Sequence, residues 1–273
     1  YSADVSAYVL GKNRVKAVDS TEGYNNYLIC SPGESFSKLV AEGYKAYSTE
    51  MNHTGISAIK DRKAVSSLRA LLIDLKPDII HTHNSKGGAI GRIAAKKAGI
   101  RWIVHQVHGF HFTKQQGIKK KIFEIIEKRL SKITDLILFQ NWTDYRAAEV
   151  ADMSKNAKLL YLGNGISFNE ISKVSENIGI ESPASIGKLV IGCVARFDSV
   201  KNHGMLFEAL SSIKTHVPFE LHLFGDGPLI EKYKELVRES NIESGVVFHG
   251  FIDKLSMIET LKKCNLSVLV SKG

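Results

Sequence analysis

Short β-rich runs alternate with amphipathic helical stretches along this chain, and the alternation runs twice. In the first half YLIC (27–30), KAYSTE (45–50), DIIHTH (78–83), WIVHQV (102–107), DLILF (135–139) and KLLYL (158–162) read as strands. Between them lie stretches with apolar residues at the 3.6-residue period, such as Val65, Leu68, Leu71, Leu72 and Leu75. That helix is expected to end near Lys76, because Pro77 disfavours helical geometry in the residue before it. The helix GGAIGRIAAKKAG should end at Gly99. A third, GIKKKIFEIIEKRLSKI, carries Ile118, Ile122, Ile125, Ile126, Leu130 and Ile133 on what reads as one core-facing side. After a polar stretch the pattern restarts with KLVIGCVA (188–195), ELHLF (220–224), VVFHG (246–250) and NLSVLV (265–270), separated by helices near 202–213, 228–239 and 254–263. Strands alternating with helices build βαβ units and parallel sheets. The expected fold class is α/β, with two doubly wound, Rossmann-like domains over 1–165 and 188–273. A hinge over 166–187 joins them, and the second domain is cut short after VLVSKG.

Composition narrows the function. No apolar run approaches the roughly 18–20 residues of a membrane span, and no signal-peptide pattern opens the chain, so a cytoplasmic protein is expected. Cys30, Cys193 and Cys264 are far apart in apolar surroundings and read as buried, reduced thiols. Charge is uneven: residues 1–165 carry +10 and residues 166–273 carry −1 of the net +9. Two domains with different partners would produce that asymmetry.

In open parallel sheets, ligands bind beyond the carboxyl ends of the strands. The unusual residues of this chain gather there: HTHNSKGG, HGFHF, RFDSVKN, GDGP, GFIDK and SKG. In VARFDSVKNHG, Arg196 and Lys201 follow a strand and precede a helix for which Asn202 is a suitable N-cap. A helix N-terminus favours an anion. Arg adds a planar fork for phosphate and Lys a compact charge. An isolated Arg/Lys pair is also common on any solvated loop. GDGP repeats the theme, with Gly225 and Gly227 permitting close backbone approach and Pro228 suited to the first helical position.

Five histidines, at 81, 83, 105, 108 and 111, raise a metal question. His81 and His83 share a strand face, half of a zinc site in a metal-dependent hydrolase, yet no carboxylate lies close in sequence to complete it. No metal is expected; His81 and His105 read as packed structural residues, while His108, beside Gly109, is free to enter a cleft. From Lys114 to Lys132 seven cations stand against two glutamates. A solvated helix face and an interfacial helix drawn to anionic lipid through Lys119, Lys120 and Lys121 both fit. Nucleic acid is disfavoured, since aromatics are not interleaved with the cations.

With these residues placed, the chain resembles the family 4 glycosyltransferases of GT-B fold, in particular those of bacterial capsular, exopolysaccharide and lipopolysaccharide synthesis. PDIIHTHNSKGGAIGRIAAKKAG is similar to the family's PDIVHTH strand and helix, VHGFHF to its His-Gly loop and YLGNGI to its hinge-proximal segment. VARFDSVKNH, LFGDGP and VVFHGFID resemble the three motifs that follow. The resemblance implies a retaining transferase with a nucleotide-diphosphate sugar, UDP-sugar foremost, as co-substrate and no cofactor. It implies catalytic roles for His108, Arg196 and Lys201, and donor contacts at Gly109, Asn202, Gly225, Gly227, Phe251, Ile252 and Ser271. It places His83 and Lys86 on the side of a lipid-linked or oligosaccharide acceptor, at the inner face of the plasma membrane. It also implies a first strand with a glycine-bearing loop ahead of Tyr1, and paired glutamates after Gly273, so the chain as given should not turn over. A nucleotide-sugar epimerase of the same fold and a non-catalytic nucleotide-sugar-binding subunit are the rivals.

Overall fold

The computed structural model describes residues 1, 3–51, 57–110, 112–165, 187–213 and 215–272. They form two compact units, Tyr1–Gly165 and Ile166–Gly273. The expected hinge lies almost entirely outside the described residues, as does His111.

Unit 1 opens with a helical stretch unannounced by any apolar period: Asp4–Ser6, a π turn at Ala7–Gly11, then α1 (Lys12–Asp19). There follow β1 (Leu28–Cys30), α2 (Glu34–Ala41), β2 (Ala46–Ser48), α3 (Ala58–Leu75), β3 (Ile79–His83) and α4 (Ser85–Ala98). The rest is β4 (Trp102–Val107), α5 (Gly117–Ser131), β5 (Leu136–Phe139), α6 (Trp142–Val150) and β6 (Lys158–Tyr161). β1 pairs with β2, and β3-β4-β5-β6 form a second sheet, every pairing parallel. The helix stops follow the sequence: Lys76, ahead of Pro77, turns left-handed at φ 46°, and Gly99 does so at 76°.

α4 lies close on the sheet. At Gly88 any Cβ would collide with the ring of His105, which is buried and bonded through Nδ1 to Thr82 Oγ1 at 2.9 Å. His105 is thus the packed residue expected, whereas His81 is exposed. One turn along α4, Arg92 is wholly buried, donating from Nε to Gly88 O at 3.0 Å and from Nη2 to Glu127 Oε2 of α5 at 2.8 Å. That pair corrects the reading of α5. Its inner side carries Phe123, Glu127, Leu130 and Ser131, and Glu127 must face inward to meet a buried guanidinium. Ile118, Ile122 and Ile125 consequently point outward, at 78%, 47% and 49% exposure.

Unit 2 contains β7 (Leu189–Val194), α7 (His203–Ile213), β8 (Phe219–Phe224), α8 (Ile230–Glu239), β9 (Val246–Gly250), α9 (Lys254–Lys262) and β10 (Leu266–Ser267). Its sheet runs β10-β7-β8-β9, again parallel. Alternate residues of β8 (Phe219, Leu221, Leu223) enter a core with Ile191, Cys193, Leu206, Phe207 and Val237. β10 is shorter than NLSVLV suggests, pairing only at Leu266 and Ser267. Cys30 and Cys193 are buried free thiols; Cys264 is only half-buried. Among the described residues no helix is long and apolar enough to cross a membrane.

Candidate functional site

Each unit collects its polar side chains at the carboxyl ends of its strands. In unit 2, β7 runs out at Val194 and backbone hydrogen bonds stitch the loops beyond it together. Ala195 N donates to Phe224 O at 3.0 Å, Phe197 N to Asp226 O at 3.0 Å, and Gly225 N to Gly250 O at 2.8 Å. Lys272 N reaches Val200 O at 2.8 Å, which brings exposed Ser271 beside the same loop. Arg196, Lys201, the 225–228 turn, the start of the 251–253 loop and Ser271 therefore form one rim.

Within it, Asp198 Oδ1 accepts from both Val200 N and Lys201 N at 3.1 Å, closing the turn that carries the two cations. Arg196 is exposed and Lys201 half-buried, and the ion pairs of the described residues include neither. Asn202 stands where the cap was expected, at φ 55°, but its amide nitrogen turns to Met205 Sδ at 3.5 Å. α7 begins at the next residue, so its positive dipole end adds to the two cations. An anion is the ligand such a rim attracts.

The glycines of the 225–228 turn do permit close backbone approach, here to the loop that carries Arg196. A Cβ on Gly227 would lie 2.5 Å from Phe197 O and 2.8 Å from its C and N, and one on Gly225 would strike Ala195 O. Their bareness lets this turn pack on the cationic loop. Pro228 sits ahead of α8, which starts at Ile230, rather than in its first turn. Ile252 is half-buried and Phe251 is 90% exposed, an aromatic face open to solvent at the rim.

In unit 1 the rim is built from His83 at the end of β3, His108 after β4, and Arg14 reaching over from α1. His83 Nδ1 lies 3.1 Å from His108 Nε2 and 3.5 Å from Arg14 Nη1, which also donates to Gln106 Oε1 at 2.5 Å. Tyr1 stacks on His83 at 4.1 Å between ring centres. His83 is buried, and desolvation, with the neighbouring His81 and Arg14, holds its pKa far below the usual imidazole range. His108 is half-buried and lowered by the same burial and by Arg14. Both rings are neutral at physiological pH. His83 is thus enclosed, and Lys86 pairs with Asp61 at 2.6 Å. Among the described residues no group of three His, Cys, Asp or Glu side chains converges, and Arg14 opposes a cation beside His83. A cavity of about 750 Å³ lies between β1 and β3, lined by apolar Leu28, Ile29, Leu68 and Leu72 and by polar Arg14, Asn25, Asn26, His81 and His83, so the unit 1 rim borders it.

The His108–Gly109–Phe110 loop is anchored by a residue the sequence reading passed over. Asp144 Oδ1 accepts from Phe110 N at 3.2 Å, while Asp144 N and Oδ2 bond the Asn141 cap at 2.8 and 2.7 Å. The Asn-x-x-Asp spacing is a capping-box variant and was the available signal. Arg14 and Gln106 had none.

A family model described as "Glycosyl transferase 4-like" matches residues 1–141, and one described as "Glycosyl transferases group 1" matches residues 174–272. The chain is 37% identical over 119 residues to an Escherichia coli UDP-Gal:alpha-D-GlcNAc-diphosphoundecaprenol alpha-1,3-galactosyltransferase, covering 43% of this chain and 30% of that protein. Its fold is that of Anabaena HepE, crystallised with UDP, at TM-score 0.64 and 18% identity over 90% of this chain and 66% of that one. It is likewise that of the lipopolysaccharide outer core galactosyltransferase WaaB, at TM-score 0.67 and 19% identity over 99% of this chain and 72% of that one. The matched segments span 30%, 56% and 62% of the lengths of three curated relatives, the Escherichia coli protein among them.

Proposed function

We infer the reaction from membership: the chain belongs to the glycosyl transferase 4-like family, with two Rossmann-like units of GT-B type. The proposal is that the protein moves a sugar from a nucleotide-diphosphate sugar, UDP-linked, to a lipid-linked glycan acceptor in surface-polysaccharide synthesis. The observation that carries it is the unit 2 rim, where two unpaired cations meet a helix N-terminus and an exposed aromatic.

Arg196 and Lys201 would hold the diphosphate and stabilise the charge that grows on it as the glycosidic bond breaks. A preorganised donor of that kind is worth roughly 10²–10³ in rate. Phe251, with Ile252, would take the nucleobase, and Ser271 would close the rim. Gly225 and Gly227 act one step back, by letting the turn seat against Phe197. His108, neutral and held by Asp144 through its loop, would orient the donor sugar, with His83 as its positioning residue. The sugar would keep its anomeric configuration, and the cations would replace a bound metal. The Escherichia coli relative, named for a diphosphoundecaprenol acceptor, supports the acceptor class. HepE's complex with UDP supports the donor class. The basic unit 1 would then sit at an anionic membrane face through Lys119, Lys120 and Lys121.

The test is transfer by the intact protein from UDP-sugars to a polyprenyl-diphosphate glycan. The product anomer is read by proton NMR. An α-linked product from an α-donor, lost in Arg196→Ala, is expected. Altered sugar released without any acceptor would overturn the reading in favour of an epimerase.

A further inference from the structure

We propose that Trp142 and Tyr161 form an aromatic corner on unit 1 that seats the terminal sugar ring of the acceptor. This rests on the reading above that the protein transfers a sugar to a glycan acceptor, and it assigns residues to that acceptor's sugar.

The carboxyl ends of β4, β5 and β6 lie in register, Val107 beside Phe139 and Phe139 beside Tyr161. The residues that leave those ends are therefore neighbours along one edge, the edge at which parallel sheets bind ligands. His108 follows β4 and is hydrogen-bonded by Gln140, the residue after β5. Asn141 and Trp142 come next. Asp144, in the same turn of α6, bonds both the Asn141 cap and Phe110 N. One carboxylate thus ties the start of α6, with Trp142, to the loop that carries His108.

The rings at this edge are large, open and braced. Trp142 is 50% and Tyr161 47% exposed, and their planes meet at 86° with centres 5.5 Å apart, as two walls of a corner. Tyr145 stacks on Trp142 at 4.9 Å and meets the buried Phe139 edge-on, so the indole is held from the core. Arg146 sets its guanidinium 4.8 Å from the indole centre while pairing with Glu149. Exposed aromatics gathered in one place mark a binding surface. The chemistry of the corner selects the occupant. A pyranose offers C–H groups on its face, which suit the electron-rich face of an aromatic ring. Its rim offers hydroxyls, which suit the Gln140 amide and the Arg146 guanidinium. An alkyl chain would match the rings alone and desolvate those donors without pairing them.

Trp142 and Trp102 are the two tryptophans of the chain, and Trp102 opens β4 at the opposite end of the sheet. In a Trp102→Phe background the emission of the 273-residue chain therefore reports Trp142 alone. Titration with short-chain prenyl-diphosphate monosaccharides, N-acetylglucosamine foremost, should shift that emission to the blue and saturate. The same prenyl diphosphate without sugar should leave it in place. In the intact protein, Trp142→Ala should raise the acceptor KM on the order of tenfold and leave the donor KM within about twofold, and Trp142→Phe should recover most of the loss. Transfer with an unchanged acceptor KM in Trp142→Ala, or an equal shift with the sugar-free diphosphate, would overturn the corner while the transferase reading stands. A melting temperature that falls sharply in Trp142→Ala, with the acceptor KM unmoved, would reassign the corner to packing against another segment. Wild-type protein that transfers to no prenyl-diphosphate sugar, with the Trp142 emission unmoved, would overturn both.

Discussion

Arg92 and Glu127 provide the sharpest test of the packing in unit 1. The guanidinium is fully buried and Glu127 nearly so, at 2.8 Å, while Arg92 Nη1 has no partner. Arg92→Met would leave a carboxylate stranded in the core. Breaking such a pair costs about 3–5 kcal/mol, a large share of the roughly 5–15 kcal/mol that holds a domain together. Glu127→Leu would strand the guanidinium, with a cost of the same order. The double variant Arg92→Met/Glu127→Leu removes both desolvated charges and the unsatisfied Nη1. It should therefore lie within about 1–2 kcal/mol of wild type, on either side. Urea unfolding followed by far-UV circular dichroism gives the cycle. A coupling energy above about 2 kcal/mol is expected. Two singles that each cost under about 1 kcal/mol and add would refute a buried, coupled pair, and with it the reason α5 turns its isoleucines outward.

Three further outcomes follow from the same geometry. Gly227→Ala drives a Cβ to 2.5 Å from Phe197 O and should cost about 2–4 kcal/mol while weakening nucleotide binding; a wild-type melting temperature would contradict it. His203 is buried, stacked on Phe197 at 4.4 Å with both ring nitrogens unpartnered, so His203→Phe should gain roughly 1–2 kcal/mol in the same assay, and a loss would contradict it. His83 and His105 are kept neutral chiefly by burial, with pKa values well below the unfolded value near 6.5. The unfolded chain therefore binds more protons between those values, and stability should fall by roughly 2 kcal/mol per ring from pH 7 to pH 5. A flat profile over that range would count against their enclosure.

Most strands were legible to within a residue or two as short β-rich runs between turns, whereas the last shrank to Leu266–Ser267. DIIHTH became Ile79–His83 and KLVIGCVA became Leu189–Val194. The N-terminal helix was not, since α1 buries no residue and so writes no period into the sequence. On α5 periodicity placed Leu130 in the core and Ile126 and Ile133 at its edge, but wrongly turned Ile118, Ile122 and Ile125 inward, because only tertiary context brings Arg92 beside Glu127. The cations of the unit 2 rim were readable from their place after a strand. The backbone that approaches the glycines was not: it belongs to another loop, more than 25 residues earlier in the chain. His83 illustrates the same limit. Its position at a strand end was plain, while its enclosure by Tyr1, Arg14 and His108 depends on groups 25 or more residues away.

The central claim, that the rim of unit 2 holds a nucleoside diphosphate, is met most directly by calorimetric titration of UDP into the chain. Saturable binding at one site is predicted, weakened roughly 10- to 150-fold by Arg196→Ala as one charge-assisted contact is lost. No heat of binding, or an Arg196→Ala isotherm that overlays the wild type, would contradict it.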